Sequence, residues 1–279
     1  MIRRRRLDAV KTPRLRRLRV RPIRGFPVNR MIPNIVTLLA LCAGMTSIRL
    51  ALNDHFTEAV AAIFIAAIFD GLDGRIARLL KGTSEFGAEL DSLSDFISFG
   101  VAPGLLVYIW TLHTLSSIGW VVSLLYAMCC ALRLARFNSQ IGADLPPYAY
   151  NFFTGVPAPA AAGLAMVPMI LQFETGWDGF RNGWFAAAVL AAVAALMVSR
   201  VPTFSMKRFR IPREWVLPLF LLIGAMAALA TTEPWATVLI VGIIYVGSFP
   251  FSIRAFIKLR RAAEELRASG RGEIVDIET

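Results

Sequence analysis

From position 35 to position 250 the chain alternates long apolar runs with short polar ones. Seven of these runs cover residues 35–52, 85–110, 118–134, 157–171, 184–198, 215–231 and 235–250, and an eighth starts near Phe56 and ends among charges between Asp70 and Lys81. A helix rises about 1.5 Å per residue and the hydrocarbon core of a bilayer is about 30 Å thick, so runs near this length suit membrane crossing. Each run is read as one spanning helix, the third with a kink at Pro103-Gly104. The expected fold is all-α: a polytopic integral membrane helical bundle of about eight transmembrane helices.

The flanks read differently. Met1 to Arg30 holds twelve of the thirty Lys and Arg residues, and Pro13, Pro22 and Pro27 break any long helix, so this stretch reads as a basic arm on an anionic membrane face. A targeting segment would look similar, but no cleavage site precedes an apolar stretch and 35–52 is too long for a signal-peptide core; it is read as a retained first span. Near the other end, RAFIKLRRAAEELR has basic and apolar faces and reads as an interfacial helix or a plain helical cap. The expected division is a basic arm at 1–31, a transmembrane domain at 32–252 and an amphipathic tail at 253–279.

Composition agrees with a bilayer environment: 56% of the 279 residues are hydrophobic and the mean hydropathy is +0.59. Cys42, Cys129 and Cys130 all lie in apolar runs and read as small packing residues. The net charge of +11 would suit nucleic acid, but its distribution argues against that partner. With both termini on one side of eight spans, 28 of the 30 basic residues fall on that side and only Arg49 and Arg181 on the other. By the positive-inside rule this side is the cytoplasm, and the expected location is the inner membrane of a bacterial cell.

The chemistry concentrates between Asp70 and Asp95, DGLDGRIARLLKGTSEFGAELDSLSD. Asp70 and Asp73 are three apart and Asp91 and Asp95 four apart, so on helices each pair shares a face. Gly82, Thr83 and Ser84 read as a helix stop followed by N-cap candidates, a tight turn that would bring the pairs face to face. Four carboxylates in a low dielectric need protons, basic partners or metal ions; an all-oxygen set favours Mg²⁺ or Mn²⁺ over zinc. The plainer alternative pairs the aspartates with Arg75, Arg78 and Lys81 for helix association. Gly74, Ala77 and Gly87 leave room beside the carboxylates, and Arg78 offers a fork suited to phosphate. Asp70 lies fourteen residues beyond Phe56, about 21 Å along a helix, so the cluster belongs near one membrane face rather than the midplane.

Asp70, Asp73, Gly74, Ala77, Arg78, Gly87, Asp91 and Asp95 match, at every offset, the D-x-x-D-G-x-x-A-R-x8-G-x3-D-x3-D signature of the CDP-alcohol phosphatidyltransferases, and the chain resembles that family. The resemblance implies transfer of a phosphatidyl group from a CDP-linked lipid to an alcohol, with release of CMP. It implies two ions, one held by Asp70, Asp73 and Asp91 and the other by Asp70, Asp91 and Asp95, with Asp95 also the general base. Asn34, Gly74, Ala77, Arg78, Thr83 and Gly87 would surround the CDP moiety; Asn34, in a P-N-x-x-T stretch ending at Thr37, reads equally well as an ordinary N-cap. A homodimer is implied by analogy alone.

Four further segments are similar to the serine-using members of that family: SIRLAL at Ser47, KGTSEFGAELDSLSDF at Lys81, ALRLARFN at Ala131 and TGVPAPAA at Thr154. They imply L-serine as the acceptor and phosphatidylserine as the product, with CDP-diacylglycerol as donor. Arg133, Arg136 and Asn138 would then form a serine pocket; otherwise they are snorkelling, orienting charges. Glycerol 3-phosphate, inositol phosphate and choline are the other acceptors to weigh, and two arginines disfavour choline. A transporter using intramembrane aspartates would show a repeated cluster near the midplane, and no repeat is present. His55 and His113 sit at the far ends of spans, so direct displacement is expected rather than a phosphohistidine. The topology has its own test. Ser84→Cys, in a background lacking Cys42, Cys129 and Cys130, should react with an impermeant thiol reagent in inside-out vesicles and not in intact cells; labelling of intact cells would overturn the orientation.

Overall fold

The computed structural model describes residues 28–80, 82, 84–139, 152–199, 201–204 and 213–268. The predicted arm up to position 27, Lys81, Thr83 and the end of the tail therefore lie outside the described residues. The described part is helical: α1 (Val28–Leu52), α2 (Phe56–Leu79), α3 (Glu85–Asp95), α4 (Ala102–Trp110), α5 (Ser117–Ser139), α6 (Ala158–Ala165), α7 (Val167–Thr175), α8 (Gly183–Val198), α9 (Val216–Thr232), α10 (Pro234–Gly247) and α11 (Phe249–Ala268). Each of the eight predicted runs corresponds to one helical stretch, because α3 and α4 are joined end to end and α6 and α7 form one broken rod. Four stretches are long and apolar enough to cross a membrane, Met31–Leu52, Glu85–Trp110, Ser117–Ser139 and Pro234–Leu259, and Gly183–Val198 and Val216–Thr232 are shorter apolar helices.

Side-chain placement is that of a membrane protein. Large apolar residues such as Leu38, Ile65, Leu124 and Phe220 face outward, where lipid would solvate them at no cost. The interior is built largely from alanines: Ala59, Ala62 and Ala66 on α2, Ala158, Ala161, Ala162 and Ala165 on α6, and Ala186, Ala187 and Ala194 on α8. Lipid tails are as apolar as leucine, so helix association relies on close backbone approach and hydrogen bonding, which small residues permit. Gly44 on α1 is the tightest such contact near the site: a Cβ there would lie 2.5 Å from Ser98 Oγ and 2.8 Å from Ser98 Cα.

Five details depart from the sequence expectation. First, α1 begins at Val28, so Pro33 lies inside the helix and Asn34 is not its N-cap; as the sixth residue of the helix, Pro33 forgoes the one backbone bond its N–H would have made. Second, the irregularity in the third span is a π-helical segment, Phe96–Val101, immediately before Pro103 rather than a kink at Pro103-Gly104 itself. Pro103 has no N–H to return to the carbonyl of Phe99, and Tyr126 on α5 donates its hydroxyl to that oxygen at 2.9 Å. Third, the fifth span breaks at Met166, with Pro168 in the first turn of α7. Fourth, the tail helix starts at Phe249 rather than Ile253, so it grows directly from the last span.

The fifth departure is a small antiparallel ladder. β1 (Phe152–Thr154) pairs with β2 (Pro202–Phe204), Thr154 opposite Pro202, where an all-α fold was expected. Gly155 makes the turn from β1 to α6 with φ +79°, and a Cβ there would meet Met197 O at 2.6 Å, so the position admits only glycine. Ser252 of α11 donates to Pro202 O at 2.7 Å, which ties the tail to the ladder.

The Tyr126 contact gives a stability prediction. Tyr126 is fully buried, so Tyr126→Phe leaves the Phe99 carbonyl without its donor in a dry interior. Loss of about 1–3 kcal/mol is expected, read as a lowered thermal midpoint of the purified protein in detergent; an unchanged midpoint would show that the hydroxyl holds nothing.

Candidate active site

The carboxylates stand at the C-terminal end of α2 and along α3, and the turn between them is built as the residue types require. Gly82 N–H donates back to Ala77 O at 2.9 Å, closing α2. Ser84 caps α3, its Oγ accepting from Gly87 N–H at 3.0 Å. Both helices pack against α1, and Asp70, Asp91 and Asp95 come together across the turn.

Asp70, Asp91 and Asp95 converge: each offers a carboxylate oxygen, and these oxygens lie within 4.8 Å of one another. Asp70 and Asp95 are in side-chain hydrogen-bond contact, which two ionised carboxylates sustain only with a proton or a cation between them. Asp73 stands apart from this trio. It is the most buried of the four, and its Oδ2 accepts a 2.7 Å hydrogen bond from Thr37 Oγ1 of α1.

Of the basic partners that would favour simple helix association, Arg75 and Arg78 form no ion pair with the carboxylates, and Lys81 lies outside the described residues. Among the described residues the ion pair within 4.0 Å is His55 with Glu58, at the opposite end of α2. Arg75 and Arg78 are exposed, and Arg78 Nε donates to Gly74 O at 3.0 Å. Three converging oxygen donors, none of them in an ion pair within 4.0 Å among the described residues, fit a hard divalent cation better than a thiophilic one.

A cavity of about 190 Å³ opens beside the cluster. Asp73, Gly74, Ala77, Gly87 and Asp91 line it, together with Pro33, Asn34 and Thr37 from α1 and Gly82 and Ser84 from the turn. A Cβ on Gly74 would meet nothing within 4 Å, whereas one on Gly87 would lie 2.9 Å from Asn34 Oδ1. Gly87 therefore lets Asn34 reach the cavity wall, and Gly74 keeps one side open. Of the residues expected around CDP, Asn34, Gly74, Ala77 and Gly87 come together here; Arg78 is not among the lining residues, and Thr83 lies outside the described residues.

A second cavity, of about 270 Å³, lies on the α5 side and is lined by Leu132, Arg133, Arg136, Phe137, Thr154, Met197 and Val198. The guanidinium of Arg133 is near enough for its charge to act on Asp70 and Asp95, and its buried Nε has no hydrogen-bond partner among the described residues. Arg136 is partly engaged, Nη1 donating to Val198 O at 3.3 Å. Asn138 turns instead to α3, its Nδ2 donating to Ser92 Oγ at 2.8 Å. Arg133 and Arg136 thus share a cavity from which Asn138 is absent. Thr154 and Val198, which sequence reasoning did not single out, complete that cavity because the β-ladder folds over the end of α8.

These features define a helical membrane protein with an acidic, oxygen-donor centre flanked by two cavities. Comparison with known proteins agrees. The family model described as CDP-alcohol phosphatidyltransferase matches residues 30–199, and that described as CDP-alcohol phosphatidyltransferase 2 matches 214–250. The chain belongs to the CDP-alcohol phosphatidyltransferase family and is an enzyme of the membrane. It is 39% identical over 229 residues, 81% of this chain and 79% of the relative, to the CDP-diacylglycerol–serine O-phosphatidyltransferase of Mycobacterium tuberculosis. A Helicobacter pylori protein of the same name is 35% identical over 211 residues, 75% of this chain and 86% of its own. The archaetidylserine synthase of Methanothermobacter thermautotrophicus is 35% identical over 172 residues, covering 61% of this chain and 68% of the relative.

The cluster predicts a binding defect separable from folding. Asp91→Asn keeps the shape of the side chain but removes an anionic oxygen donor, so calorimetric titration of the purified variant with Mn²⁺ should show at least tenfold weaker binding. Wild-type affinity would mean that the trio does not hold the ion.

Proposed function

We propose that this enzyme transfers the phosphatidyl group of CDP-diacylglycerol to L-serine, forming phosphatidylserine and CMP by direct displacement. The observation that carries the reading is that Asp91 joins the converging trio to the cavity lined by the family signature, while Arg133 of the second cavity is near enough for its charge to act on Asp70 and Asp95. The names of the Mycobacterium tuberculosis and Helicobacter pylori relatives support serine as the acceptor. On this reading Asn34, Gly74, Ala77 and Gly87 shape the CDP side, and Arg78 and Thr83 also contribute to CDP binding.

The serine hydroxyl oxygen bonds to the phosphorus that carries diacylglycerol, and the bond from that phosphorus to the bridging pyrophosphate oxygen breaks. The electron pair leaves with CMP, and the hydroxyl proton goes to Asp95. Two Mg²⁺ or Mn²⁺ ions, held by Asp70, Asp73 and Asp91 and by Asp70, Asp91 and Asp95, would neutralise the pyrophosphate charge and stabilise the departing CMP. Arg133 clamps the serine carboxylate: its buried Nε has no hydrogen-bond partner among the described residues, and an anionic acceptor would supply one. Choline brings no anion for this group. The site faces the cytoplasm, as the distribution of basic residues supports, so serine enters from water and the CDP-lipid from the bilayer. The arm at 1–31 and the tail at 253–279 flank the catalytic domain on that same side.

The test measures product from CDP-diacylglycerol with serine, glycerol 3-phosphate, inositol phosphate or choline in turn. Serine alone should support turnover, and labelling from glycerol 3-phosphate without serine incorporation would overturn the assignment. Arg133→Ala should raise KM for serine by about tenfold or more, since a charged hydrogen bond contributes about 1.5–3 kcal/mol, with KM for the CDP-lipid little changed. Arg136→Ala should have a smaller effect, because that side chain is already shared with Val198 O. Unchanged serine kinetics in both variants would place the acceptor elsewhere.

A further inference from the structure

Thr37 stands where three helices of the site meet, and its hydroxyl has a choice. A helical threonine ordinarily donates to the carbonyl four residues back, as the exposed Thr46 on the same helix does to Cys42 O at 2.7 Å and the exposed Thr175 does to Leu171 O at 2.7 Å. Thr37 has that option in Pro33 O at 3.1 Å, yet its Oγ1 lies closer, at 2.7 Å, to Asp73 Oδ2. A hydroxyl has one proton, and the shorter contact to a carboxylate is the stronger. The carbonyl of the same Thr37 receives Ser94 Oγ at 3.1 Å, and Ser94 sits between Asp91 and Asp95 in α3. One residue of α1 is thus bonded to both carboxylate-bearing helices. Thr37, Asp73 and Ser94 are 4%, 6% and 2% exposed, so water does not compete for these bonds.

We propose that Thr37 is a positioning residue for the metal centre: it fixes Asp73 through one carboxylate oxygen, so that the other oxygen is presented to the cavity that Asp73 shares with Asp91. The proposal rests on the metal-dependent reading above. It also accounts for Asp73 standing outside the trio of converging oxygens, because Thr37 holds the carboxylate toward α1. Without the hydroxyl, Asp73 is free to rotate and its held oxygen is left buried without a donor. Ser94 acts in the same direction, keeping α1 in register with α3 through the Thr37 carbonyl.

The experiment uses the full-length protein in detergent and two substitutions. Thr37→Val keeps the branched shape and removes the donor, whereas Thr37→Ser keeps the donor and loses a methyl group. Mn²⁺ binding, measured by electron paramagnetic resonance with and without CMP, is read beside kcat and each KM. Thr37→Val should bind Mn²⁺ about ten- to a hundredfold more weakly, the range expected when the hydrogen-bond partner of a ligand is removed. Its kcat should fall with it, while KM for serine stays near wild type. Thr37→Ser should recover both. Wild-type Mn²⁺ affinity in Thr37→Val, or equal loss in Thr37→Ser and Thr37→Val, would overturn the positioning role. Failure of the wild-type protein itself to bind Mn²⁺ saturably would instead overturn the metal reading on which the role stands.

Discussion

Bringing carboxylates together inside a membrane protein is the constraint from which the rest of this architecture follows. Anions a few ångströms apart in a poorly polarisable medium repel strongly, and without compensation they would protonate or drive their helices apart. Here the compensation is not a salt bridge, because the arginines of α2 stay exposed and form no ion pair with the aspartates. The helices are held by apolar and small-residue contacts elsewhere, by hydroxyls that cross from α1, α3 and α5, and by a capped turn between α2 and α3. That scaffold keeps the acidic site together independently of any attraction among its charges. The acidic oxygens stay available to a ligand that supplies positive charge.

The same principle organises the neighbouring helices. Serine and threonine hydroxyls on spanning helices usually satisfy their own backbone, yet Ser94, Ser98, Ser123 and Tyr126 each donate to a carbonyl on another helix. In hydrocarbon such bonds link helices that have little hydrophobic reason to associate. They cluster along the third span, which carries Asp91 and Asp95. The span whose side chains do the chemistry is therefore the one most heavily stitched to its surroundings.

Much of this was legible in the sequence, for identifiable reasons. Apolar run length gave the spans because the bilayer sets a minimum length, and the spacing of Asp70, Asp73, Asp91 and Asp95 gave their shared faces because helical periodicity is fixed. Ser84 was readable as a cap and Gly82 as a stop because local backbone chemistry decides both. Contacts between elements far apart in the chain were not readable. Nothing local ties Thr154 to the arginine cavity, Asn138 to Ser92, or the Thr37 hydroxyl to Asp73 rather than Pro33. The early start of α1 was hidden for a different reason, since Pro33 carries a breaker's signature that the first turns of a helix can absorb.

The π-helical segment between Asp95 and Ala102 has a consequence for phase. One residue more than an α-turn requires advances the helix by about 100°, so the two halves of the third span obey the same periodicity about different origins. A hydrophobic pattern averaged over Glu85–Trp110 mixes two faces and blurs both. Deleting one residue between Phe96 and Val101 would leave hydropathy nearly unchanged while rotating the carboxylates against the half of the span that packs on α5. In this stretch residue count, more than residue type, is what the fold cannot give up.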